Sequence, residues 1–581
     1  MKTVQRTFKF SPVATAIALA LAAQFPANVA YANAGFGDSV NMANTPVKVR
    51  TYNANSPSGP APVLDPVTGL TIPAAITQLP TKTSTGKALR KFVDTLPGIG
   101  AAKANNLGQY LPVAVPEKWV DLNGTITADD YLEIAAVEYT QKMHSDLVKP
   151  TRLRGYVQLS TAKNPGKKIA LTYPVPAGSP AGTAAVPVLD AKGAQVYAYD
   201  NPHHLGPIIQ ATSGTALRVK FVNLLPVSLT GTDSGKLFVP VDTTVVGAGN
   251  GADGLTPYSQ NRVVMHLVAG GLPWISAGNP HQWIAPAGET NPGVDASGAH
   301  KAVVDARGVG NHNVPDMADP GPGATTLYFP NDISARFTFY HDRTSGLTRL
   351  NAYAGMEAGY FVTDAAEQAL IAGGTLSGGA LTTSVTLAAG VIPGPADTIP
   401  LIIEDKTFVA ADIAQQDAKW NKKLDGVTTV TTWGQPGDLW FPHVYEPNQD
   451  PTSAMGINSV GRFDYGPLFW PIFPAFDATP TGSVDDPTIV PEAYLDTPII
   501  NGTAYPTITV DPKAYRFRIL NASVDRYLNL GLYKADMTPG LAPKLDDNGN
   551  PIFAHPVDAE GKPIAGAAAV QQFFTGTEVK L

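Results

Sequence analysis

The chain has 581 residues, 44% of them hydrophobic and 15% charged, with a formal net charge of −7. That apolar share supports a packed core and excludes an intrinsically disordered chain, and the length exceeds one ordinary domain. The mildly negative balance gives no footprint for a nucleic-acid partner, and the absence of cysteine excludes disulfides and any centre built on a thiolate.

Residues 1–34 read as a secretory signal. Lys2, Arg6 and Lys9 form a positive start, and the apolar run Val13–Ala23 is too short for a permanent membrane span. Ala32-Asn33-Ala34 is a small-residue cleavage pattern, with Ala30-Tyr31-Ala32 the alternative. Removing three cations and no acid takes the formal charge from −7 to −10. No later stretch is apolar for long enough to span a membrane. The expected location is periplasmic or secreted.

Beyond the signal, 55 glycines and 52 prolines favour many short strands and turns over long helices. Residues 35–150 read as an N-terminal extension, with a loop at 56–66 and a short helix at Lys87–Asp94. Asp129–Ser145 mixes both periods, and its class stays open. From Arg154 strands take over. The clearest is Ala216–Leu224, in which Leu217, Val219 and Phe221 alternate with Arg218 and Lys220. Further strands are expected near Val263–Val268, at Ala335–His341 and at Gly359–Thr363, with a Gly/Pro-rich insert at 286–325. Residues 366–398 read as a linker beginning with a short helix, Ala365–Ile371. A second strand-rich unit starts at Ile399. In it Tyr515–Asn521 (YRFRILN) repeats Leu217–Asn223 (LRVKFVN), which favours two copies of one β-sandwich.

Several motifs in fixed order carry a family likeness. They are the Gly214–Asn223 strand, His266 followed by Gly270-Gly271 and Pro273–Ser276, Pro280–Trp283, Tyr340-His341-Asp342, and Gly346–Asn351. In the second unit they are Asp405–Phe408, Gly437–Trp440, and Asn501-Gly502 leading into Tyr515–Asn521. Over residues 150–580 the chain resembles the multicopper oxidases. The resemblance implies an all-β fold of consecutive cupredoxin-like Greek-key sandwiches, here two (151–365 and 399–581) after the extension. In the family a third domain carries a blue copper and shares a trinuclear copper cluster with the first. On this likeness the chain ends where a second domain would finish, and no third domain is expected.

Each ligand strand of the family carries His-x-His. Here His266 and His341 remain, while Val268 and Arg343 occupy the second positions, and Ala277 stands where the family usually has Asp. Residues two apart on a strand share a face, so Val268 should point with His266 and Arg343 with His341. Valine has no lone pair, and a guanidinium cannot ligate. A guanidinium about 5 Å from Cu²⁺, at an effective dielectric near 20, opposes binding by roughly 6–7 kcal/mol, or about four to five decades of affinity. Arg343 is expected to plug the emptied cavity, paired with Asp342, Asp364 or an anion.

His266 and His341 are therefore the candidate metal ligands, able to hold one Cu²⁺ or Zn²⁺ with water completing the shell. Full trinuclear and blue-copper sites are not expected. The functional reading is an exported, catalytically degenerate relative serving as a binding or structural protein. The alternative is an oxidase of phenols or metal ions whose third domain is missing or lies on a partner. A copper carrier is disfavoured, because the 8 methionines are scattered. Trp274 and Trp283 are expected to cover the face a third domain would meet, so a homo-oligomer or partner chain is expected there. His203-His204 reads as a turn, and His281 as a loop residue.

Overall fold

The computed structural model describes residues 89–175, 182–228, 234–289, 311–377, 383–409, 434–441 and 495–531 with short interruptions, and strand pairs at 63–64/71–72, 443–444/488–489 and 530–531/579–580. The signal reading (1–34) and most of the insert lie outside these residues. The chain divides into two units, residues 1–49 with 59–78, and 50–58 with 79–581. Of the first, only the antiparallel pair Val63–Leu64/Thr71–Ile72 is described. Everything below concerns the second.

In chain order its main strands are β1 (Glu117–Val120), β2 (Ile126–Gln141), β3 (Thr151–Gln158), β4 (Leu205–Thr212), β5 (Leu217–Asn223), β6 (Met265–Leu267) and β7 (Ala324–Phe329). β8 (Arg336–Asp342) follows, then helix α1 (Thr348–Tyr353), β9 (Glu357–Thr363) and helix α2 (Ala365–Ala372). The hairpin β10 (Gly373–Leu376) and β11 (Val385–Ala389) leads to β12 (Thr398–Lys406), β13 (Thr497–Ile500), β14 (Thr503–Ala504) and β15 (Arg516–Asn521). The fold is all-β, as expected.

Sheet A has the order β7-β5-β2-β1, with β3 also paired to β2; sheet B has the order β4-β9-β8-β6. They pack face to face as a cupredoxin-like sandwich. Leu132, Ile134, Leu217, Val219 and Phe221 of sheet A meet Met265, Leu267, Tyr340, Ala358 and Tyr360 of sheet B in one core. β5 buries its odd-numbered residues and leaves Arg218, Lys220 and Val222 half-exposed, as its alternation predicts.

The boundary read at residue 150 falls inside sheet A. β2, placed by the sequence in the extension, pairs with β3 along Ile134–Gln141 and runs parallel to β5. The reason is burial on both faces: Ile134 to Tyr139 is wholly buried, so no period of two survives to be read. Residues 89–94 form turns rather than the expected helix; Phe92 has φ 62° and donates its N–H to Tyr505 O at 3.0 Å. The linker begins with the expected helix, α2, capped by Asp364 accepting from Glu367 N–H. It continues as the β10–β11 hairpin rather than as open chain.

Residues 89–115 form a strap across both strand-rich units. Leu96 N–H reaches Thr507 O at 2.7 Å, while Ala114 N–H reaches Ile208 O at 2.8 Å.

Sheet C, ordered β14-β13-β12-β15, repeats part of sheet A. β12 runs antiparallel to β13 and parallel to β15, as β2 runs antiparallel to β3 and parallel to β5. Both copies end on the same hook. Leu225 N–H donates to Asn223 Oδ1 (3.1 Å) and Ser523 N–H to Asn521 Oδ1 (3.0 Å). Leu224 N–H donates to Ala136 O and Ala522 N–H to Ile403 O. Sheet C packs on the outer face of sheet B, where Phe337 and Phe361 stack with centroids 4.1 Å apart, beside Ile402 and Leu520.

Candidate metal centre

β6 is the edge strand of sheet B, and its ladder with β8 sets His266 directly opposite His341. Their neighbours Met265, Leu267 and Tyr340 face the core, so the two imidazoles lie together on the outer face. The rings meet edge to face with centroids 5.3 Å apart. Each Nδ1 bonds a backbone carbonyl: His266 to Ala277 O at 2.5 Å, His341 to Asp342 O at 2.6 Å. A carbonyl only accepts, so both Nδ1 atoms carry the proton and both Nε2 atoms carry a lone pair. Burial lowers both pKa values below the usual imidazole range, and Arg343 lowers them further, so both rings are neutral at pH 7.

The carbonyl under His266 is supplied by a short 3₁₀ turn, Trp274–Ser276, that folds back onto β6. Gly278 permits this: its φ is +66°, and a Cβ there would lie 2.7 Å from Met265 O and 2.8 Å from His266 Cα.

Val268 continues the ladder, its N–H on Phe339 O at 3.0 Å, and shares the outer face by alternation. Phe339 stacks on His341, centroids 5.2 Å apart. The plug expected of Arg343 is not formed. Arg343 is exposed, having left the sheet after its N–H pairs with Val264 O. Asp342 cannot partner it: buried on the core side, it accepts from Val264 N–H, Thr344 N–H and Oγ1, and Asn351 Nδ2. Asp364 is committed to Ala335 N–H and the α2 cap. A guanidinium keeps its hydration by turning outward, which a closed apolar cavity denies it.

A trinuclear cluster does not fit these residues. Val268 and Arg343 offer no lone pair to a metal, and among the described residues no three His, Asp or Glu side chains are grouped to hold one. Without cysteine, a blue-copper site does not fit the chain either.

A second polar group escapes the sequence reading. His204, at the foot of β4, sets Nε2 at 2.7 Å from Glu404 Oε2. Lys406 Nζ lies 3.0 Å from Glu404 Oε1 and donates to Tyr353 O at 3.0 Å. Glu357 is buried beside them, and its Oε2 meets no donor among the described residues. Burial, then the neighbouring Glu404 carboxylate, pushes the Glu357 pKa well up. Burial would push Glu404 up as well, but His204 and Lys406 hold it at about 2. All four side chains are buried, so the cluster fastens sheet B to sheet C and does not face solvent. The available signal was the pair of charges closing an apolar strand, Glu404 and Lys406; their partner His204 was read as a turn. The His203 ring lies against Tyr110, centroids 4.2 Å apart and planes tilted by 56°, and His281 is exposed. Trp283 is buried against Tyr258 and Arg262 rather than covering a face, whereas Trp274 is 78% exposed.

The chain is 27% identical over 329 residues to a laccase of Bacillus stratosphericus, covering 56% of this chain and 41% of that protein. It is 26% identical over 246 residues to a bilirubin oxidase of Albifimbria verrucaria, covering 42% of this chain and 27% of the other. The chain is a relative of the multicopper oxidases. It spans about 41% of the length of the Bacillus laccases it matches. A solved laccase of Pediococcus acidilactici aligns over 74% of this chain and 48% of its own, with 14% identity and a TM-score of 0.30. No family model matches the chain. Among the described residues, no helix of this multicopper oxidase relative is long and apolar enough to cross a membrane.

Proposed function

We propose that the chain is an exported, multicopper-oxidase-like protein that does not reduce oxygen and serves as a binding or structural protein. The observation that carries this reading is the outer face of sheet B, where Val268 and exposed Arg343 flank an ordered His266–His341 pair. The proposed domains are two sandwiches, the first begun by β1 and ended near residue 365, the second running over 399–581.

In this reading His266 and His341 hold a single divalent ion, most simply Cu²⁺ or Zn²⁺. Two imidazoles on one ion at a near-tetrahedral angle place their ring centroids roughly 5 Å apart, and the observed separation is 5.3 Å. Their Nδ1–H bonds to carbonyls are the supporting contacts that ligating histidines use. Exposed Trp274, beside half-buried Leu272, is the proposed contact for a second copy or a partner chain.

A second reading is an oxidase of phenols or metal ions, which the likeness to a Bacillus laccase supports. Metal analysis, the visible spectrum and oxygen uptake of the purified protein separate the two. At most one copper per chain, no blue band and no oxygen uptake with a phenol are expected. Three or more coppers per chain would overturn the first reading.

A further inference from the structure

An asparagine followed two places later by serine or threonine is an acceptor for N-linked sugar in an exported chain, provided that the segment is exposed. The chain holds three such triplets: Asn123-Gly124-Thr125, Asn501-Gly502-Thr503 and Asn521-Ala522-Ser523. The fold separates them. Asn501 is 2% exposed, its amide donates to Pro97 O and Pro400 O and accepts from Ile402 N–H, and Thr503 is buried as well. Asn521 is exposed, but it lies in the β12–β15 ladder, its Oδ1 holds Ser523 N–H, and Ala522 between them is buried. Asn123, Gly124 and Thr125 are all exposed, at the tip of the β1–β2 hairpin. Asp121 shapes that tip: its Oδ1 accepts from Asn123 N–H (2.9 Å) and Thr125 N–H (2.8 Å), and its carbonyl accepts from Gly124 N–H (3.0 Å). Gly124 has φ +85°, and apart from its chain neighbours nothing lies within 4 Å of where a Cβ would stand, so the tip is open on that side. A second observation marks the same tip. Leu122 and Ile126, on either side of the triplet, are the two most exposed large aliphatic side chains among the described residues, at 62% and 70%. A bulky sugar chain rooted between them covers apolar surface that is otherwise left to water.

We infer that Asn123, alone of the three, is a site of N-linked glycosylation. The donor is an oligosaccharide carried on a polyprenyl pyrophosphate, used by a transferase on the far side of the membrane. The Asn123 amide nitrogen bonds the anomeric carbon, the bond from that carbon to the pyrophosphate oxygen breaks, the pyrophosphate leaves with the electron pair, and one amide proton is lost to a base. The inference rests on the reading of the chain as exported.

The test is peptide mass spectrometry on the full chain recovered from the cells that make it, after separating cytoplasm from the exported fraction. Trypsin, cutting after Lys118 and Lys142, releases Trp119–Lys142 with Asn123 as its only acceptor. This peptide is expected to carry a mass increment of whole sugar residues, and the peptides holding Asn501 and Asn521 none. N-glycosidase in heavy-oxygen water should remove the increment and leave a labelled aspartate at position 123. Asn123→Gln and Thr125→Ala are each expected to abolish the increment, whereas Thr125→Ser, which keeps the hydroxyl, retains it. Both positions are exposed, so the variants keep the fold, and circular dichroism checks this. If the exported protein yields Trp119–Lys142 unmodified, if the increment survives Asn123→Gln, or if the sugar sits on Asn521 instead, this inference fails while the export reading stands. If the chain is recovered only from the cytoplasm with residues 1–34 still attached, both fall.

Discussion

Strands β5 and β15 were built to one plan and ended in different surroundings. Both are parallel partners of a long strand, and both close on an asparagine hook. In register Val219 corresponds to Phe517 and Phe221 to Ile519. Val219 and Phe221 are fully buried under sheet B, whereas Phe517 and Ile519 are 47% and 45% exposed. The pattern of a strand thus specifies its pairing, while the energy it contributes depends on what lies over its apolar face. The histidine pair belongs to that covering layer, sheet B, and not to the repeated unit.

The largest test of this contrast is truncation at equivalent positions. Phe221→Ala should cost about 3–5 kcal/mol in urea unfolding, whereas Ile519→Ala should cost less than about 1. Equal losses would mean that the face of β15 is covered as fully as that of β5. Next is the seam that joins the two copies. Lys406→Met leaves buried Glu404 with His204 alone and should cost roughly 3 kcal/mol, since breaking a buried pair strands a charge. A loss near that of a surface lysine would detach the cluster from stability.

A smaller effect is in acid. Glu404 is held at about 2 in the fold, below its ordinary 4.5. The carboxylate therefore contributes stability above about pH 4.5, and this is lost as pH falls from there towards 2. Unfolding followed across that window should show the decline, and Glu404→Gln should flatten it. Smallest is the hook. Buried Asn223 also donates to Asn261 O and Ile284 O, so Asn223→Ala should cost about 1–3 kcal/mol, whereas Asn521→Ala, at an exposed position, should cost under about 0.5. Thermal melts of the two variants make that comparison.

What could be read from sequence follows from how each side chain meets its surroundings. β5 was legible because one face is wet, and its period of two survives in the order of residues. β2 was not, because burial on both faces erases the period. That His266 and His341 share a face follows from strand geometry. Their protonation could not be read, because the carbonyl that fixes His266 comes from a turn eleven residues away that must first fold back. Arg343 was placed in the right neighbourhood with the wrong direction, since strand alternation ends where the strand does. His204 and Glu404 lie 200 residues apart, and no local pattern joins them.

The strap has a consequence for the time course of folding. Asp94 O accepts from Thr507 N–H, and Asn501 Nδ2 donates to Pro97 O across 404 residues of chain. Synthesis at the usual pace of 5–20 residues per second, about, leaves the strap waiting for tens of seconds before these partners exist. Closing so long a loop is slow in any case, because its entropy is lost before its contacts form. Sheets A and B can assemble before residues 501–507 exist, and the strap's bonds to those residues can form only after them.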